Sequence, residues 1–327
     1  MLVPALLLIV GIVFLIVAGD WMVRGAAALA RHWGVPALIV GLTIVAFGTS
    51  APELVVGVQA VMQGAGELAA GNVIGSNIAN VLLALGIPAL IMAIPTNMTG
   101  VARNTLVCLF ATVLFITLAF IAKFTSNSQL IFWQGAILFS GIVIYLLWMF
   151  RLSKAGIHDP ILDEMTEIEE GEDGLPTNIW LSFFYVIVGI AGLIIGGKLI
   201  VDNAVLIASN MGISETIIGL TIVAIGTSLP EIATVVVASY RGHSEVAIGN
   251  VLGSNVFNLF AVMGATAMTG PVPIEKELLT FDVWVMLASS TALLIFVLTR
   301  QPIGKKTGII FLIGYILYML ALVRGVM

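Results

Sequence analysis

The sequence predicts an all-α, polytopic membrane protein with ten transmembrane helices in two inverted five-helix repeats. Three observations carry that expectation. Of the 327 residues, 60% are hydrophobic and only 9% are charged, where a soluble domain has about 25% charged. The apolar residues gather in runs of the roughly 20 residues that a helix needs to cross the hydrocarbon core. And one stretch, Gly41-Leu-Thr-Ile-Val-Ala-Phe-Gly-Thr-Ser-Ala-Pro-Glu53, returns 178 residues later as Gly219-Leu-Thr-Ile-Val-Ala-Ile-Gly-Thr-Ser-Leu-Pro-Glu231.

Ten spans follow in order, at roughly 2–24, 36–61, 69–94, 103–122, 130–150, 179–201, 214–239, 247–269, 280–299 and 307–324. The first opens Met-Leu-Val-Pro without a basic stretch, so a retained helix is expected there rather than a cleaved signal. The fourth contains the single cysteine, Cys108, which cannot form an intrachain disulfide and is expected to pack. A polar segment, 151–178, separates a first repeat, 1–150, from a second, 179–327. Five spans per half is an odd number, so the second half enters the membrane in the opposite sense.

Lysine and arginine placement gives the orientation. With the N-terminus outside, the cytoplasmic side collects Arg24, Arg31, Arg103, Arg151, Lys154, Arg241, Arg300, Lys305 and Lys306, against Lys123, Lys198, Lys276 and Arg324 outside. The expectation is a multi-pass protein of the inner (cell) membrane, with both termini outside and the polar segment inside. Eight of the 18 acidic residues lie between Asp159 and Asp173. The formal charge of −5 is therefore a property of one solvated tether and points to no nucleic acid partner. That tether lacks the spaced Asp-x-Asp-x-Asp-Gly of a calcium loop.

A carboxylate at the centre of a bilayer costs about 3 kcal/mol on insertion scales. Glu53 and Glu231 occupy equivalent places in the duplicated stretch and are functional candidates on that ground. On a helix Glu53 shares a face with Thr49 and Ser50, four and three residues back. Pro52 lacks an N–H and should kink or break the helix there, turning backbone oxygens inward beside the carboxylate. Thr227, Ser228, Pro230 and Glu231 repeat the arrangement. Hydroxyl, carbonyl and carboxylate oxygens together suit a hard cation.

A second motif keeps the same offset. Gly71-Asn-Val-Ile-Gly-Ser-Asn-Ile-Ala-Asn80 recurs as Gly249-Asn-Val-Leu-Gly-Ser-Asn-Val-Phe-Asn258. Asn72, Ser76 and Asn80 form one polar stripe, and Asn250, Ser254 and Asn258 another. Gly71 with Gly75, and Gly249 with Gly253, are spaced to let helices approach closely. Asn72, Asn77, Asn250 and Asn255 either line a site or only staple helices together.

The two motifs, 41–80 and 219–258, resemble the paired alpha repeats of the cation/calcium exchanger superfamily (CaCA), in particular the prokaryotic sodium/calcium exchangers. That resemblance implies a central calcium position made by Glu53, Glu231, Thr49 and Thr227. Flanking sodium positions would add Ser50, Ser76, Ser228 and Ser254, with the backbone carbonyls of Ala46 and Ala224. Asn80 and Asn258 match further positions that line the ion sites. Some members carry Asp at one of these two places; this chain has Asn at both, which leaves the sodium stoichiometry open. The proton/calcium branch places an acidic residue and a His soon after the Gly-Asn pair, and Val73 to Ser76 contain neither.

The expected function is a secondary-active antiporter that exchanges calcium for sodium by alternating access through a midplane site, with the long first and sixth spans as the moving gate. Ca²⁺ and Na⁺ are its cargo, protons its competitors and the lipid bilayer its surroundings; no cofactor is expected, and a monomer suffices. The alternatives are a calcium/proton or other cation antiporter, or a passive cation channel. No enzyme is expected. His32, His158 and His243 fall in loops or at helix ends, and no zinc-protease, serine-hydrolase or phosphate-binding motif occurs. An intramembrane hydrolase using the two glutamates would leave the Thr-Ser sets and the Asn stripes unexplained.

Overall fold

The computed structural model describes residues 2–35, 37–64, 66–98, 100–125, 127–154, 176, 178–211 and 224–324. Most of the acidic tether lies outside them. The fold is helical. The helices are α1 (Leu2–Trp33), α2 (Gly41–Thr49), α3 (Ala51–Met62), α4 (Gly66–Ala89), α5 (Val101–Thr125), α6 (Phe132–Lys154), α7 (Ile179–Asn210), α8 (Leu229–Tyr240), α9 (Ser244–Thr269), α10 (Leu278–Leu298) and α11 (Lys305–Arg324). Among the described residues eight helices are long and apolar enough to cross a membrane, and the bent pair α2–α3 makes a ninth. The span expected at 214–239 begins in the undescribed stretch 212–223 and continues through α8.

Burial ranks the helices. Within their apolar windows, α9 is 94% and α4 72% buried, whereas α11 is 22% and α6 and α7 28%. The two helices that carry the asparagine motif are therefore the centre of the bundle, and α6, α7 and α11 form its rim. Ile144, Phe150, Trp180, Ile187, Ile310 and Leu317 are more than half exposed, as expected of side chains that meet hydrocarbon.

Helices α1 and α7 each run 32 residues, beyond the expected 2–24 and 179–201. Nothing breaks α1 until Gly34, whose φ of 61° permits the left-handed cap. The Val35 N–H reaches back to the Ala30 carbonyl there. At 1.5 Å per residue each helix is about 48 Å long, more than the roughly 30 Å hydrocarbon thickness, so each must tilt or protrude. The two lie against one another along small residues. A Cβ on Gly192 would stand 2.6 Å from the Ala18 Cβ, and one on Gly11 only 2.9 Å from the Gly196 carbonyl.

Elements recur at the same offset as the motifs. Helices α3 and α8 are both 12 residues long, and the turns after them use Gly64 (φ 79°) and Gly242 (φ 84°). Wide π-helical turns begin at Asn80 and at Asn258. Loops clip across the halves: Gln129–Leu130 pairs antiparallel with Val272–Pro273, and Ile94 with Ile303.

Candidate functional site

The break expected at Pro52 is present. Ser50 leaves the helical region (φ −85°, ψ 2°), α2 and α3 meet at 47°, and Pro52 takes one of the first positions of α3, where a missing N–H costs nothing. Ser228 has the same backbone (φ −89°, ψ 3°) ahead of α8 and Pro230. Each break places its glutamate in the first turn of the following helix, where the positive end of the helix dipole favours a carboxylate.

The breaks converge. The Ser50 hydroxyl donates to Glu231 Oε1 at 3.1 Å, so the first motif touches the second motif's carboxylate. Thr49 Oγ1 stands 3.2 Å from Asn250 Oδ1 and 3.4 Å from Ser254 Oγ. Thr227 Oγ1 donates to Asn72 Oδ1 at 2.9 Å, and the Ser228 and Ser76 hydroxyls are 3.0 Å apart. Every one of these contacts pairs a broken helix of one half with the asparagine helix of the other, or one break with the other. Thr49, Ser50, Glu53, Ser76, Asn80, Ser228, Glu231, Ser254 and Asn258 are all buried, Glu53 with no exposed surface at all. Thr227 is half-buried.

Several acceptors in this group have no partner. Both oxygens of Glu53, Oε2 of Glu231, and the Oδ1 atoms of Asn80 and Asn258 are buried without a hydrogen bond. Orphaned buried acceptors are costly, and negative ends of this kind are what a cation would satisfy. The Ala46 carbonyl already accepts the Ser50 N–H at 3.0 Å, with the Thr49 hydroxyl 3.3 Å away. As a ligand it would require Thr49 to turn. The matching Ala224 opens the short helical turn Ala224–Thr227.

A cavity of about 480 Å³ borders the two breaks, lined by Pro52, Lys198, Asp202, Gly226, Thr227 and Pro230 among others. From the sequence Lys198 enters only as an outside charge, and Asp202 not at all. Their signal was there, as charged residues within a long apolar helix. The same signal marks Asp20, which pairs with Arg24 at 3.0 Å and with Arg241 beyond the end of α8. Cys108 is buried, as packing requires.

The glycine expectation holds in one helix. A Cβ at Gly253 would meet the Leu42 carbonyl at 2.7 Å and the Ala46 Cβ at 2.6 Å, so α9 and α2 touch at backbone distance. At Gly71 and Gly75 nothing described lies within 4 Å. The residues equivalent to Leu42 and Ala46 fall at 220 and 224, in and beside the undescribed stretch.

The family model described as sodium/calcium exchanger protein matches residues 3–151 and 181–324. The chain belongs to this family. Its relatives include the protein named "Putative antiporter CaxA" of Alkalimonas amylolytica, 38% identical over 97% of this chain and 98% of that one. Another is the sodium/calcium exchanger MaX1 of Methanosarcina acetivorans, 32% identical over 97% of each. Among solved structures, the sodium-calcium exchanger NCX_Mj soaked with 10 mM Na⁺ and zero Ca²⁺ superposes with a TM-score of 0.82 at 30% identity, covering 98% of this chain and 99% of that one. This exchanger is thus a multi-pass ion-transport protein of the membrane, and its family is one of cation exchangers.

Proposed function

We propose that this exchanger is a secondary-active antiporter that moves Ca²⁺ against Na⁺ through one chamber bounded by Glu53 and Glu231. The observation that carries the reading is the set of partnerless oxygens on Glu53, Glu231, Asn80 and Asn258, ringed by the Thr49, Ser50, Ser76, Thr227, Ser228 and Ser254 hydroxyls. Two glutamates balance one Ca²⁺, and the neutral oxygens complete the six to eight that calcium takes. Sodium ions, drawing in addition on the Ala46 and Ala224 carbonyls, compete for the same oxygens. An empty chamber with two bare carboxylates is costly to seal from water. Closure then requires cargo, which makes the cycle an exchange rather than a leak.

Ten spans in two inverted repeats, related by the 178-residue offset, place the chamber at the midplane and let the halves swap inward and outward shapes. The α1–α7 pair, packed on itself along small residues, is the moving part. The protein sits in the inner membrane with both termini outside, acts as a monomer and needs no cofactor.

Tracer flux in proteoliposomes tests this. ⁴⁵Ca²⁺ uptake should follow an outward sodium gradient and not a potassium gradient. Lowering the pH should reduce it, because a protonated carboxylate no longer attracts a cation, and added calcium should restore it. Uptake that runs only down the calcium gradient, indifferent to sodium, would replace the antiporter with a channel.

A further inference from the structure

The asparagines of the second motif divide into two kinds by what their amides do. Asn80 and Asn258 each have the nitrogen tied and the oxygen free. Asn80 Nδ2 donates to Asn255 Oδ1 at 3.0 Å, and Asn258 Nδ2 donates to Asn77 Oδ1 at 3.3 Å. Their own Oδ1 atoms are buried and partnerless. Asn77 and Asn255 have both ends engaged: Asn77 Nδ2 points at the Met286 sulfur at 3.7 Å, and Asn255 Nδ2 at the Asn77 carbonyl at 3.4 Å. The pairs cross between the halves, residue 77 serving 258 and residue 255 serving 80.

An amide is nearly symmetric in shape and opposite in polarity at its two ends. Turned by 180° about its last bond, Asn80 would offer an NH₂ group to the chamber and press its oxygen onto Asn255 Oδ1. The first change repels a cation and the second sets two acceptors against each other. An Asp at 80 or 258 would need no such control, since both its ends are oxygen. With Asn at both positions the chamber gains two acceptors without added charge, provided that something fixes which end faces it. Asn80 and Asn258 also open the two π-helical turns. Such turns are frequent at functional sites, but an asparagine's last torsion is broad and roughly two-fold, so the backbone alone leaves the amide free to turn about its own axis.

We infer that Asn77 and Asn255 are positioning residues whose oxygens hold the amides of Asn258 and Asn80 with their carbonyl ends toward the transported cation. The inference rests on the chamber proposed above being the cation site. It also separates the two uses the sequence left open for these asparagines: Asn77 and Asn255 touch no cargo, yet they set the polarity of residues that do. Loss of an outer partner of this kind typically weakens metal affinity by about 10–100-fold.

The experiment is equilibrium ⁴⁵Ca²⁺ binding to the purified full-length protein in detergent, with thermal unfolding followed in parallel. Asn255→Leu should weaken calcium binding by about 10–100-fold. Adding Asn80→Asp should recover most of that loss, because a carboxylate presents oxygen whichever way it turns. Asn77→Leu with Asn258→Asp should behave alike. Calcium binding by Asn255→Leu at the native affinity would overturn the proposal. So would a binding or folding defect that Asn80→Asp fails to repair, since that result makes Asn255 a staple between helices. Glu53→Gln keeps the two inferences apart. Native calcium binding by Glu53→Gln removes the chamber itself; its loss, alongside native binding by Asn255→Leu, removes only the role of the amides.

Discussion

Glu53 and Glu231 hold three partnerless oxygens between them, and the fourth accepts from Ser50. Replacing either with Gln keeps the shape and removes one charge. Both Glu53→Gln and Glu231→Gln should therefore insert and fold, and each should abolish sodium-driven calcium flux. The fold has little to lose, because both carboxyls are buried and removing one charge lessens the cost of burying it. Calcium flux near the native rate in both variants, measured in proteoliposomes, would rule out these carboxylates as the site. Ser50 is a milder case. Ser50→Ala removes the 3.1 Å donor to Glu231 without removing charge, so calcium affinity should fall and maximal flux should change less.

At the scale of elements, the chamber depends on broken helices that lie at backbone distance from unbroken ones. The breaks at Ser50 and Ser228 follow from proline two residues later, and proline in the first turn of a new helix is well tolerated. The close approach depends on Gly253, where α9 meets the Leu42 carbonyl. A methyl group there has no room unless α2 shifts, and overpacking of this kind costs about 1–3 kcal/mol. Gly253→Ala should lower the unfolding temperature measurably and weaken flux. Gly304→Ala, which has nothing within 4 Å, should leave both near native. Equal tolerance at the two glycines would mean that α2 and α9 are not held at the distance described.

Across the whole molecule, α1 and α7 pack on each other more extensively than on the rest of the bundle. Gly19 faces Val237 of α8, with 3.7 Å between the built Cβ and the Val237 Cβ, and Asp20 meets Arg241 one residue beyond α8. That Cβ separation falls within the roughly 3.5–4.5 Å that a disulfide spans. In a Cys108→Ala background, oxidising Gly19→Cys/Val237→Cys should stop exchange and reduction should restore it. Exchange that continues through a complete crosslink would show that α1 does not slide on α8. The acidic tether belongs to the same scale. Its composition is that of a solvated connector, so deleting 160–174 should leave sodium-driven flux within a few-fold. Loss of flux in a correctly inserted deletion would assign it a regulatory part.

The membrane class, the duplication and the candidate polar residues are all legible along the linear chain. Each of those is a matter of composition or spacing. A carboxylate in a long apolar run is costly wherever its side chain points, and two motifs at one offset stay at one offset however the chain packs. Glycine after Trp33 and proline after Ser50 likewise write a stop and a break into the local backbone. Only the tertiary structure decided partners and polarity. That Ser50 reaches Glu231, that Asn255 serves Asn80 while Asn77 serves Asn258, and that Asp20 meets Arg241 are contacts across 175 to 221 positions of chain. Helical periodicity fixes which residues share a face, but not which way that face turns about the helix axis, nor which end of an amide looks inward. Those are settled by backbone approach at glycines such as Gly253 and Gly192 and by the requirement that each buried donor find an acceptor.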